Sequence, residues 1–156
     1  SWDKNKNIKK CILGKENIPF KENYFDVVTA FDVLEHIPRI SNDLDRVTFP
    51  FITAMNEVWR VLKVNGLFYS QTPCFPMREA FQDPTHVSYW NQNSFLYYTD
   101  KYLGDFIDND KIRFQEFRKE TYYPNDWMEN LQVLVTTAWL TAVKDDSIRY
   151  PHVLKI

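Results

Sequence analysis

The stretch Phe25-Asp26-Val27-Val28-Thr29-Ala30-Phe31-Asp32-Val33-Leu34-Glu35-His36-Ile37 decides the fold. Phe25–Phe31 is β-branched and mostly apolar, which predicts a buried strand. Asp32 ends the apolar run, and Val33–Ile37 reads as a short helical turn stopped by Pro38. Open parallel sheets hold their ligands at the carboxyl ends of strands. A strand tip bearing Asp32, with Glu35 and His36 on the next turn, is therefore a candidate site. The plainer alternative is that Asp32 caps the turn and His36 is a structural histidine.

Upstream, Ile8–Leu13 is a short apolar run that predicts another strand, and Lys15–Phe20 is a turn around Pro19. Downstream, Phe51, Met55, Val58, Trp59 and Leu62 fall on one helical stripe. Pro50 suits its first turn, and Asn65-Gly66 reads as its stop. Gly66–Thr72 is then a strand closed by Pro73, and Cys74–Asn93 is irregular. Ser94 is placed to cap a helix carrying Phe95, Tyr98 and Tyr102. Ile112 onward alternates like a strand, and Leu131–Val143 predicts a central strand, apolar on both faces. The polar tail from Lys144 is expected to be loose.

Composition narrows the function classes. The 156 residues are 44% hydrophobic and 26% charged, so a disordered chain is excluded. Lys+Arg is 19 against 21 Asp+Glu, a net charge of -2, which argues against a generic nucleic-acid surface. Cys11 and Cys74 are solitary, so neither a disulfide framework nor a zinc spacing can be written, and no metal is expected. A reducing, cytoplasmic setting follows. The longest uncharged apolar run, Leu131–Val143, is too short to cross a bilayer, and the polar start is no signal peptide. The three glycines, Gly14, Gly66 and Gly104, stand apart, so no Gly-x-Gly loop exists in the sequence. The 17% aromatic content points to a stacked core or an aromatic-lined pocket.

Ile18-Pro19-Phe20, Phe25-Asp26-Val27-Val28 and Val33-Leu34-Glu35-His36-Ile37 together resemble the class I S-adenosylmethionine-dependent methyltransferases of the type 11 kind. The resemblance continues in Glu57-Val58-Trp59-Arg60-Val61-Leu62-Lys63, after which the family's Pro-Gly-Gly turn is reduced to Val64-Asn65-Gly66. Asp83-Pro84-Thr85-His86 is similar to a segment of bacterial members. The resemblance implies an α/β fold, a partial Rossmann-like methyltransferase sheet that is mostly parallel with a C-terminal antiparallel strand pair. Ile8–Leu13, Phe25–Phe31 and Gly66–Thr72 would be the family's third, fourth and fifth strands. Ile112 onward and Leu131–Val143 would close the sheet. The family's first two strands, with the glycine-rich loop and the acidic ribose ligand, have no counterpart, and Gly14 stands where an acidic residue often meets the adenine.

The same resemblance implies S-adenosylmethionine as cofactor, with Glu16, Asn17, Ile18, Ala30, Phe31, Asp32 and His36 on the cofactor side. The Phe31 ring would face the sulfonium ion, unless it is a core phenylalanine. His36 and His86 are the candidate bases, His86 having a structural turn as its alternative; His152 lies in the tail. Arg78, Asp83, Tyr89, Trp90 and Trp127 would meet a small-molecule or sugar acceptor, or else the aromatics pack a satellite core. The expectation is therefore a single truncated domain over residues 1–156, a methyltransferase fragment that holds cofactor poorly by itself. The alternative is a non-catalytic binding or scaffold module. Neither nucleic acid nor membrane is expected as a partner, and Ile8–Leu13, as an unpaired strand, would either dock elsewhere or pair across a homo-oligomer.

Overall fold

The computed structural model describes residues 8–43, 46–107 and 113–144. Its principal sheet is built from β1 (Phe25–Phe31), β4 (Leu62–Pro73), β5 (Arg113–Tyr122) and β6 (Val135–Val143), in the order β1-β4-β6-β5. β1 and β4 are parallel, and β6 is antiparallel to both β4 and β5. Three strands thus share one direction and β6 alone opposes them, the mixed α/β sheet that the sequence implies. A small hairpin, β2 (Ser41–Asp43) with β3 (Arg46–Thr48), follows the turn after β1. α1 (Pro50–Val61) makes the crossover between the parallel strands, burying Phe51, Ala54, Met55, Val58 and Val61. The short helices α2 (Glu79–Gln82), α3 (Leu96–Thr99), α4 (Lys101–Gly104) and α5 (Asp126–Asn130) lie in the connections.

The core lies between α1 and the sheet. Phe68, Met55, Leu62, Phe114 and Leu140 are almost wholly buried there, and each contributes about 1.5–3 kcal/mol relative to an exposed position. Trp90 joins them with 1% exposure, its ring 4.5 Å from that of Phe51 and 5.1 Å from that of Phe95. Among the described residues no helix is long and apolar enough to cross a membrane.

Several expectations need correction. β1 is not buried: Val27 and Phe31 are 51% and 55% exposed. Among the described residues β1 has one ladder partner, β4. Ile8–Leu13 forms no strand within the chain. α1 ends at Val61, and Leu62–Asn65 already belongs to β4, so the stop is four residues earlier than Asn65-Gly66 suggests. The reason is that Leu62 is needed in the core, opposite Phe25. Ser94 is not a cap; its hydroxyl accepts from the Asn91 backbone, and the helix predicted beyond it is split at Asp100, which caps α4. β6 starts at Val135, because Gln132 takes a left-handed turn conformation before it. Lys144 is anchored, donating to Asn23 Oδ1 at 2.7 Å and lying over the Trp59 ring. The tail beyond Lys144, with His152, lies outside the described residues.

Candidate functional site

β1 delivers Ala30, Phe31 and Asp32 to the carboxyl edge of the parallel pair, where the Asp32 N–H bonds to Gln71 of β4. Asp32 has a φ of 50°, a left-handed conformation that aspartate tolerates better than most residues. This bend throws the chain into the helical turn Leu34–His36. The segment after β4 returns over the same edge and is stitched to that turn. Val87 and Ser88 both donate their backbone N–H to the Glu35 carbonyl, at 2.8 and 3.0 Å, and the Ser88 hydroxyl donates to the Leu34 carbonyl. Trp90 in turn donates its indole N–H to Ser88.

This stitching brings together residues fifty positions apart. The rings of His36 and His86 meet edge to face with centroids 4.9 Å apart. The Nδ1 of His86 lies 3.0 Å from the Ala80 carbonyl, which fixes the proton on Nδ1 and leaves the lone pair on Nε2, with Asp83 Oδ2 3.9 Å from that nitrogen. The Nδ1 of His36 lies 3.0 Å from the Thr85 hydroxyl, which itself donates to Asp83 Oδ1 at 2.6 Å. With its proton spent on Asp83, Thr85 accepts from His36, and the Nε2 of His36 is left free as well.

Three carboxylates face these rings. Glu35 is 2% exposed, and neither of its oxygens has a hydrogen-bond partner elsewhere among the described residues. Burial holds its carboxyl above the usual range, and the charge of Asp32 pushes it the same way; its own backbone N–H and the two histidines offset this in part. Burial also raises Asp32, against the pull of His86 and His36. Asp83 is held below the usual carboxylate range by the Thr85 hydroxyl and N–H.

Of the candidate residues, Asp32, His36, Asp83 and His86 thus converge, and Phe31 stands beside them with its ring 5.2 Å from that of Tyr69, exposed rather than in the core. Ile18 does not join them. Its N–H and carbonyl are tied to Glu57 and Arg60 near the C-terminal end of α1, and Asn23 and Tyr24 bond to Arg60 and Val61 at that same end. That is the opposite end of β1 from Asp32. Glu16 and Asn17 are exposed, and the Glu16 carboxylate turns back to the Ile12 N–H.

On the acceptor side, Trp90 is a core residue; it reaches the floor of a hollow of about 310 Å³ but offers no exposed face. Arg78 pairs with Glu79 and donates to the Leu131 carbonyl, tying the loop before β6 to α2. Trp127 is 67% exposed on α5. Tyr89 lines a hollow of about 420 Å³ with Arg39, Phe75, Val87 and Ser88. Its ring stacks 4.5 Å from Phe81, which meets Phe75 at 5.8 Å. Phe75, Phe81, Arg39 and Thr85 were not singled out from the sequence. Thr85 sits inside Asp83-Pro84-Thr85-His86, so the motif could have pointed to it; the two phenylalanines carry no such signal.

Residues 3–70 match the family model of the methyltransferase domain. No curated protein matches the chain. Among solved structures, the YcgJ protein from Bacillus subtilis is similar at 14% identity and a TM-score of 0.45, over 84% of this chain and 68% of that one. The [4+2]-cyclase SpnF is similar at 12% identity and a TM-score of 0.49, over 87% and 56%. The N-methyltransferase NodS from Bradyrhizobium japonicum, in complex with S-adenosyl-L-homocysteine, is similar at 10% and 0.41, over 85% and 52%. The chain therefore spans between 52% and 68% of the length of these proteins.

Proposed function

We propose, from the methyltransferase-domain sequence of residues 3–70, that this chain contributes to an S-adenosylmethionine-dependent methyltransferase acting on a small-molecule or glycan acceptor. The observation that carries the reading is the convergence of Asp32, His36 and His86 at the carboxyl edge of β1, within and beside the matched stretch. The cofactor supplies an electron-poor methyl carbon on sulfur, and the protein has to place an acceptor atom in line with it. Phe31 and Asp32 suit the cofactor side, an exposed ring face next to a carboxylate at a strand tip. Ile18, held at the other end of α1, does not.

His86 is the better placed base. Its Nδ1 proton is committed to Ala80, so its Nε2 can take a proton from an acceptor hydroxyl or amine. The Phe75, Phe81 and Tyr89 faces beside the 420 Å³ hollow suit a ring-bearing acceptor, with apolar sugar faces stacked and hydroxyls bonded. With no Gly-x-Gly loop in its sequence, the chain is expected to hold the cofactor weakly, in a cytoplasmic setting. Backbone chemical-shift mapping with millimolar S-adenosylhomocysteine tests this. Shifts should gather on Ala30–Asp32 and spare Ile18–Phe20. An absence of shifts, or shifts on another face, overturns the reading.

A further inference from the structure

We propose that Glu35, His36 and His86 form a binding site for one divalent transition-metal ion of the zinc class. One ligand atom from each lies within 4.8 Å of the others. The Glu35 carboxylate is 2% exposed with neither oxygen hydrogen-bonded elsewhere, an arrangement that costs free energy unless something positive completes it. Both imidazoles are prepared for metal: each has its Nδ1 bound to an oxygen, of Ala80 for His86 and of Thr85 for His36. Metal-bound histidines characteristically donate their second ring nitrogen to a carbonyl or carboxylate in this way. For His36 the link runs on through the Thr85 hydroxyl to Asp83.

The donor set decides the ion. Two imidazoles and one carboxylate suit zinc, iron or cobalt, whereas magnesium and calcium prefer oxygen alone. Bonds of about 2.0–2.2 Å hold tetrahedral ligands roughly 3.4 Å apart, so loading would draw the three side chains inward. Glu35 forms the buried side of the cluster and exposed His36 the open side, which leaves a coordination position toward solvent. Metal uptake is measured apart from methyl transfer, so the inference stands without the methyltransferase reading; an ion on the His86 Nε2 would occupy the lone pair that the proposed base uses, so the two roles belong to different states of the chain.

The test is titration of the full 156-residue chain, stripped with chelator, with Co²⁺. One equivalent should bind, with visible ligand-field absorption that Zn²⁺ abolishes. Glu35→Gln and His86→Asn should each weaken binding at least tenfold, and Asp105→Asn, at an exposed position outside the cluster, should not. Far-UV circular dichroism checks that each variant is folded. Independently of any variant, ¹⁵N spectra of the wild-type imidazoles should show the Nε2 signals of His36 and His86 shifting together with one equivalent of Zn²⁺. The proposal fails if the wild type takes up no stoichiometric metal, if folded variants bind as the wild type does, or if those signals do not move.

Discussion

Arg60 holds Ile18 by its carbonyl oxygen, with Nη2 2.8 Å away. The same guanidinium donates to the Phe20 carbonyl at 2.9 Å and to both oxygens of Glu57 at 2.7 Å. Glu57 completes the ring by accepting the Ile18 N–H at 2.7 Å. Two sequence features quoted separately, Ile18-Pro19-Phe20 and Glu57-x-x-Arg60, are therefore one structural device. It clamps the bend before β1 onto the last turns of α1, and so sets where β1 begins.

Arg60→Ala should destabilise the fold by about 3 kcal/mol, because it strands a mostly buried Glu57 carboxylate as well as two carbonyls. Arg60→Lys should recover only a minor part, since a point ammonium cannot meet the carbonyls and both Glu57 oxygens together. Urea unfolding midpoints of the three proteins check the order; equal midpoints would show that the clamp is ornamental.

The same clamp sets a pH dependence. The Arg60 hydrogen bonds hold the Glu57 carboxyl below its usual range against the opposing effect of burial. A carboxyl depressed in the folded state contributes stability that is complete above its unfolded pKa, about 4.3, and is lost as pH falls through the folded value. Between pH 7 and pH 3 the wild type should lose more stability than Glu57→Gln, which has no such proton to take up. Parallel losses in urea titrations at a series of pH values would refute this.

The parts of the fold visible in the sequence are those with local periodicity. The stripe Phe51, Met55, Val58 marks α1, and the apolar runs of β1 and β6 are plain. The exposure of β1 is not written in its apolar run, because neighbours across a sheet are not a local property. The site was half legible for a similar reason. Asp32, Glu35 and His36 stand close in sequence, whereas their meeting with His86 depends on Val87 and Ser88 bonding to a backbone carbonyl of Glu35. That contact has no side-chain signature. Cys74–Asn93 has neither a helical nor a strand period, so nothing there separates a core tryptophan, Trp90, from an exposed tyrosine, Tyr89.

Glu35→Gln should stabilise the metal-free chain at neutral pH, by about 1–2 kcal/mol, since it replaces a buried carboxylate that no other residue hydrogen-bonds with a neutral isostere. The comparison is made by thermal unfolding in chelator. A less stable variant would mean that the carboxylate has a compensating partner in the apo protein.

Gly14 adopts a φ of +84°, and a Cβ there would lie 2.5 Å from the Pro50 carbonyl oxygen. Gly14→Ala therefore meets two penalties, a left-handed backbone costing about 1–2 kcal/mol and a clash with the start of α1. The expected result is a loss of at least the first amount in urea unfolding. A neutral substitution would show that residues 11–16 do not pack on α1.

Tyr89 and Trp90 are adjacent, and substitution should separate their roles. Trp90→Ala empties a site walled by Phe51 and Phe95 and leaves Ser88 without its indole donor, so a loss of about 3–5 kcal/mol is expected. Tyr89 is 40% exposed, and the Arg39 bond runs to its backbone carbonyl, which alanine keeps. Tyr89→Ala should stay within about 0.5 kcal/mol of the wild type while weakening binding of any ring-bearing acceptor, because it removes one face of the stack with Phe81. Unfolding curves and acceptor titrations on the two variants give opposite orders of severity if Trp90 is core and Tyr89 is contact surface. The same order in both measurements would place Tyr89 in the core with its neighbour.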